Sequence, residues 1–170
     1  AIIPYPKNKI KFVLEKRDRK NILNEVFSTE IDPSDLYIVK DPVNKKLGRI
    51  IESHKSGHPH EKVDIVIIGD GYSISEPKKF DRDLKRFTNV LLNHEPYKRF
   101  KDKINVYGIF RVSEDSGIDE PGANIYRNTV LNTRYYTMGS ERYILTEDNN
   151  SLRDLASLVP YDAIVIMVNG

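Results

Sequence analysis

The 170-residue chain has no cysteine. That excludes disulfides, thiolate metal sites and a cysteine nucleophile, and it leaves the compartment open, since envelope and secreted proteins also manage without the residue. No apolar run approaches the ~20 residues needed to span a bilayer. No basic-plus-apolar leader stands at the N-terminus either, so Ala1 reads as a mature or trimmed start, or as the start of a cytosolic protein. Net charge is small: 27 Lys and Arg against 25 Asp and Glu leave +2. Charge therefore implies neither a nucleic acid nor a membrane surface as partner. Internal repeats and low-complexity tracts are also missing.

What the chain does contain is 31% charged and 39% apolar residues. The apolar ones are concentrated in a few segments, so a core can still form. Two regions follow. Residues 1–60 read as β-rich and irregular, ending in a linker. Ile10, Phe12 and Leu14 alternate with Lys9, Lys11 and Val13, which predicts a strand. Lys16 to Lys20 reads as a solvated hairpin tip, with an anion-binding patch as the sharper alternative, and Ile22 to Phe27 as the returning strand. Asp32-Pro33 and Asp41-Pro42 are turn dipeptides around a short strand candidate, Leu36 to Lys40. His54 to His60, with Gly57 and Pro59, reads as linker.

Residues 61–170 read as α/β. Asp64 to Ile68 is a continuous, β-branched apolar run, suited to a strand buried on both faces. A helix is expected over about 75–93, with Phe80, Leu84, Phe87 and Leu91 on one face. Ser73-Ile74-Ser75-Glu76 fits a capping box, Pro77 suits the first turn and Pro96 a stop. A second strand is expected from Ile104 to Val112. Residues 113–142 form a long Gly-, Asn-, Ser- and Tyr-rich connection, which predicts hidden short elements or a functional loop. A second helix is expected over about 149–159, with Leu152, Leu155, Ala156 and Val159 inward, Asp148 or Asn149 as cap and Pro160 as stop. Ile164 to Val168 is a third buried strand. Buried strands alternating with helices argue for a mostly parallel sheet with flanking helices.

Several constellations invite chemistry. His54, His58 and His60 lie within seven residues, and the last two would share a face of a strand. No carboxylate stands at a recognised ligand spacing, so an exposed linker competes with a metal site. His94, after the first helix, suits a C-terminal dipole partner. Gly69-Asp70-Gly71-Tyr72-Ser73-Ile74-Ser75 joins a buried strand to a helix, a usual place for sites in α/β folds. A Gly-Asp-Ser nucleophile is missing its serine at Gly71. An adhesion-type Asp-x-Ser-x-Ser metal site would find Ser73 and Ser75 one residue late. A phosphate loop lacks its Lys-Ser or Lys-Thr pair. The plainer reading is a tight turn, with Asp70 bonding nearby backbone N–H groups. Four carboxylates between Ser113 and Glu120 lack calcium-loop spacing and read as a solvated acidic loop. Tyr126, Tyr135, Tyr136 and Tyr143 either line a groove or pack half-buried.

The segment Val63-Asp64-Ile65-Val66-Ile67-Ile68-Gly69-Asp70-Gly71-Tyr72 resembles the opening of bacterial IgA-peptidase-type zinc metallopeptidases. The resemblance continues in order through Lys79-Phe80, Glu95-Pro96-Tyr97, Ile104-Asn105-Val106-Tyr107, Glu114-Asp115-Ser116-Gly117, Ser140-Glu141-Arg142-Tyr143-Ile144-Leu145-Thr146, and Tyr161-Asp162 to Val168-Asn169. It covers about residues 62–170, and the first sixty look like the end of that family's β-rich N-terminal domain. The resemblance implies an incomplete zincin-like α/β domain. In the family, a His-Glu-x-x-His helix follows this last strand; its histidines bind zinc and its glutamate is the general base. No such motif occurs in the chain, so no ligand or base transfers to any residue here. The expectation is the N-terminal portion of a secreted or cell-envelope bacterial zinc endopeptidase, with zinc in the parent protein and none bound by this segment. The partners implied are a protein or peptide substrate and the rest of the peptidase domain, and the segment by itself is expected to be inactive. Substrate lying along an edge strand would bring Asn169 and Gly170 toward the cleft, with Asp70 and Tyr72 in its wall. The alternative is a non-catalytic α/β binding module like a von Willebrand A domain.

Overall fold

The computed structural model describes residues 6–38 and 45–170. It divides into two compact units, Ala1–Pro42 and Val43–Gly170. In the first, β1 (Ile10–Arg17) and β2 (Leu23–Ile31) form an antiparallel hairpin. Ile10 faces Ile31 and Leu14 faces Phe27, with a bulge between Leu14 and Glu15. The expected tip is shorter than five residues, because Lys16 and Arg17 still pair with Asn24 and Leu23. Asp18 closes it by accepting the Lys20 and Ile22 N–H groups at 2.8 and 3.0 Å, and Asn21 takes a left-handed φ of 65°.

The strand expected over Leu36 to Lys40 does not form where it is described. Asp35 accepts the Tyr37 N–H through its carboxylate and the Ile38 N–H through its carbonyl, which makes Leu36 to Ile38 a turn. Residues 39 and 40, and the Asp41-Pro42 dipeptide, lie outside the described residues.

The second unit is built on a four-stranded sheet: β3 (Arg49–His54), β4 (Val63–Asp70), β5 (Ile104–Phe110) and β6 (Ala163–Val168), in the order β3-β5-β4-β6. The three strands expected from the sequence are mutually parallel. The fourth, β3, is antiparallel to β5 and makes the sheet mixed. It occupies ground read as β-rich extension and linker, so the compact unit begins at Val43 rather than after residue 60. Ile50 and Ile51 pair with Ile109 and Gly108 there. His54 is thus the end of a strand.

Each face of the sheet carries one helix. Ile65, Ile67, Val106 and Met167 meet α1 (Pro77–Asn93) through Phe80, Leu84 and Leu92. Val66, Ile68, Tyr107 and Ile109 meet α2 (Asn149–Ala156) and the turn after it, through Leu155, Ala156, Leu158 and Val159. Residues of opposite parity along β4 thus serve opposite faces, which is why that strand reads as a continuous apolar run. Gly108 lets α1 approach closely, since a Cβ there would lie 2.2 Å from a Leu84 methyl.

The buried stripe of α1 is Phe80, Leu84, Thr88 and Leu92. It is rotated from the expected one, leaving Phe87 exposed and Leu91 at the margin. A spacing of four held over three turns follows the sheet, and the Thr88 hydroxyl is satisfied 2.7 Å from the Ser53 hydroxyl of β3. At the other end of α1, His94 Nδ1 lies 2.9 Å from the Val90 carbonyl, as a C-terminal partner should. Asp148 caps α2, accepting the Ser151 N–H at 3.0 Å.

Candidate functional site

Parallel strands deliver their carboxyl ends to one side of a sheet, and loops there hold the polar groups. In this chain those ends are Asp70 of β4, Phe110 of β5 and Val168 of β6. Two polar networks meet there.

The first is centred on Asp70, which is fully buried. Its Oδ1 accepts the Leu131 N–H at 3.0 Å, and its Oδ2 accepts the Thr129 hydroxyl at 3.0 Å and the Thr133 N–H at 3.1 Å. The expected turn is present, but the partners are some sixty residues away rather than nearby. Asp70 therefore ties the long 113–142 connection to the end of β4. Gly71 completes this join with φ 75°, a conformation costly for a residue with a Cβ. Its N–H donates to the Ser113 hydroxyl at 3.1 Å and its carbonyl accepts from the Gly117 N–H at 2.9 Å. Ser113, itself buried, also accepts the Val130 N–H at 3.2 Å.

The second network gathers around Asn169. Its side-chain amide donates to the Gly71 carbonyl at 2.7 Å and lies 3.1 Å from both Glu76 oxygens and from the Ser116 hydroxyl. Its side-chain oxygen accepts from Lys79 Nζ, which also reaches the Gly170 carbonyl at 3.4 Å. Ser73, predicted to open a capping box, donates N–H and hydroxyl to Glu76 at 3.0 and 2.9 Å. The box closes the turn before α1 rather than capping it, since Glu76 occupies the cap position and makes no side-chain cap bond. Burial pushes the Glu76 carboxyl up. Hydrogen bonds from the Ser73 N–H, Ser116, Asn169 and the Ser73 hydroxyl outweigh it and hold the group down at about 2.

Of the four residues predicted to touch substrate, Gly170 is exposed, whereas Asp70, Tyr72 and Asn169 are buried. Tyr72 packs edge-on against Phe80, beneath Lys79, and donates its hydroxyl to Asp83 at 3.0 Å. Burial first, and then that bond to Asp83, push its phenol up. The structure thus brings Asn169, Gly71 and Tyr72 together as a scaffold around Lys79 and Glu76. Lys79, Glu76, Ser113 and Ser116 were not singled out from sequence for this role. The available signal was their position, in the loop and first helical turn next to strand carboxyl ends.

The remaining candidates separate. His54 Nε2 lies 3.0 Å from the Lys101 carbonyl. The carboxylates of the 114–119 loop stay at the surface and bond across it, Glu114 and Asp115 to Asn128, and Asp119 to the Arg127 N–H. Tyr126, Tyr136 and Tyr143 are exposed, and Tyr135 is half-buried. Among the described residues no three His, Asp or Glu side chains converge as metal ligands, so these residues do not fit the zinc that the resemblance implies. The von Willebrand-type alternative is not supported. Asp70 turns away to Thr129, Leu131 and Thr133, while Ser73 and Ser75 bond each other at 2.9 Å. Among the described residues no helix is long and apolar enough to cross a membrane.

No curated protein matches the chain. The family model described as IgA Peptidase M64 matches residues 51–170, from β3 to the end of the second unit. That span is well over half of the 170 residues and holds both networks, so the chain belongs to the IgA peptidase M64 family.

Proposed function

We propose that residues 43–170 are the N-terminal part of the catalytic domain of a zinc-dependent endopeptidase that hydrolyses protein substrates. The observation that carries this is the family match over 51–170. It coincides with a sheet whose parallel strands end together at a fixed, hydrogen-bonded corner. On this reading the fold is the opening of a zincin-like domain, and the hairpin of residues 10–31 closes a β-rich N-terminal domain. The metal ligands and general base lie in a His-Glu-x-x-His helix beyond Gly170, in the rest of the peptidase domain. The setting is a bacterial envelope or secreted protein.

In this role, residues 43–170 supply scaffold and substrate edge rather than chemistry. β6 pairs only with β4 among the described residues, so its outer edge is open to an extended peptide. Asn169 and Gly170 stand at the end of that edge, with Asp70 and Tyr72 holding the wall behind them. The test compares the natural full-length protein with the 170-residue chain in hydrolysis of unfolded casein, alongside zinc analysis by mass spectrometry. The full-length protein should carry one zinc and lose hydrolysis to a chelator, and the shorter chain should do neither. Hydrolysis that survives complete zinc removal would refute the reading.

A further inference from the structure

At the β5 end of the same sheet corner the chain has a second feature, distinct from the Asn169 network. A concavity of about 460 Å³ is lined by Lys46, Leu47, Gly48, Arg49, Phe110, Arg111 and Val112. It combines two chemistries. Leu47, half-buried, and Val112, 44% exposed, give it open apolar surface above the buried Phe110. Lys46, Arg49 and Arg111 give it three cations and its lining contains no carboxylate.

The cations are not equivalent. Arg49 is committed: it pairs with Asp81 at 2.6 Å and lies 5.2 Å over the Phe110 ring. Arg111 makes no ion pair among the described residues, and it is exposed just past the end of β5. It also lines a neighbouring concavity of about 210 Å³ with Ser113, Glu114, Asn128 and Thr129. A guanidinium beside open apolar surface is suited to a group that is apolar and anionic at once. Its planar fork binds carboxylate through two N–H donors.

We propose that this concavity is a substrate subsite for an acidic peptide segment, in which an apolar side chain sits beside an internal Asp or Glu. The apolar side chain rests on Val112 and the half-buried Leu47, and the carboxylate meets Arg111. The proposal rests on the peptidase reading for the choice of a peptide, and adds a substrate preference to it. The position suits an extended chain crossing the corner, since β5 is separated from β6 only by β4.

The test is fluorescence anisotropy of the full 170-residue chain with labelled decapeptides carrying a central Phe-Glu or Phe-Gln, each with an amidated C-terminus. The Glu peptide should bind about tenfold more tightly at low salt, and the preference should shrink as salt screens it. Arg111→Gln should reduce the preference to about twofold or less. Arg111→Glu should reverse it toward a Phe-Lys peptide, and Lys85→Gln, an exposed charge on α1, should leave it unchanged. Circular dichroism establishes that the variants fold. Equal binding of the Glu and Gln peptides, or a Glu preference that survives Arg111→Gln, overturns the proposal. Cleavage by the full-length protein is read separately: Glu-dependent binding without any cleavage would count against the peptidase reading and leave the subsite standing.

Discussion

Replacing Asp70 with asparagine tests whether the long 113–142 connection is held by one buried carboxylate. The exchange keeps the side-chain shape, so no cavity term enters, and it alters only hydrogen bonding and charge. The carboxylate accepts three bonds from neutral donors: the Thr129 hydroxyl and the Leu131 and Thr133 N–H groups. An amide has one oxygen. If that oxygen faces Leu131, its NH2 group faces the Thr133 N–H; the Thr129 hydroxyl can turn to accept, but a backbone N–H cannot. If it faces Thr133, the Leu131 N–H is the donor left facing a donor. Either rotamer leaves one buried N–H unsatisfied, at about 1–3 kcal/mol. The remaining bonds also lose their ionic character, which adds about 1 kcal/mol, while removing a buried charge gives part of it back.

The expected net loss is about 2 kcal/mol, and Asp70→Ala, which orphans all three donors, should lose about 4. Urea unfolding should show a lower midpoint with an unchanged slope for Asp70→Asn. Hydrogen exchange should lose protection at the Leu131 and Thr133 amides before it does at Val66 or Ile109 in the sheet. A loss under about 0.5 kcal/mol would refute the argument, and so would unchanged protection at those two amides.

Two further substitutions probe the same corner. Glu76→Gln should destabilise the chain near neutral pH and cease to do so in acid. The folded carboxyl is lowered from 4.5 to about 2, so its stabilisation is fully present above pH 4.5 and is lost as pH falls toward 2. That drop corresponds to at most about 3 kcal/mol, reduced by solvent at a partly exposed group to about 1–2. Thermal melts of both proteins from pH 7 to pH 2 should converge, and a gap constant with pH would count against the network. Gly71→Ala should be severe, because φ is 75° and the new methyl would lie 2.4 Å from the Gly117 carbonyl oxygen. Gly139→Ala shares a positive φ of 73° but meets nothing within 4 Å, so it should lose only about 1 kcal/mol. Equal urea midpoints for these two variants would show that close contact at Gly71 is not the cause.

The parts of the fold that the sequence made legible are those whose stabilisation is local or periodic. β4 announces itself because a strand covered on both faces reads as an unbroken apolar run. β5 shows through the alternation of Ile104, Val106 and Phe110. β6 shows through its apolar run, although as an edge strand it is only partly buried, with Val165 44% exposed, rather than the buried strand expected. The hairpin of β1 and β2 follows from alternation before a charged turn and from the apolar residues of Ile22 to Phe27 after it. β3 escaped because its two central isoleucines stand among Arg49, Glu52, Ser53 and His54, too short a signal for a strand. The sheet makes it one, through pairing with β5 that no local pattern encodes. The stripe of α1 was found but rotated, because Phe87 is the more apolar residue and Thr88 the better placed one, with Ser53 opposite to satisfy it.

The candidate site shows the same division at the level of single residues. Asp-Gly after a strand correctly signals a tight turn, and turn chemistry assigns the carboxylate to nearby amides. The chain instead spends that carboxylate on amides some sixty residues away, and Gly117 and Ser113 fill the space beside the turn. Three of the residues expected at the cleft also hold loops in place. Asn169 is expected toward the cleft because substrate would lie along the edge strand it follows, and its amide bonds to Gly71, Glu76 and Ser116. Polar residues at strand ends are therefore ambiguous in sequence: they face a ligand or they fix the loop that does. Burial decides between these, and here it assigns Asp70, Tyr72 and Asn169 to fixing the corner. Arg111, exposed just past the end of β5, is the group on which the proposed peptide contact rests.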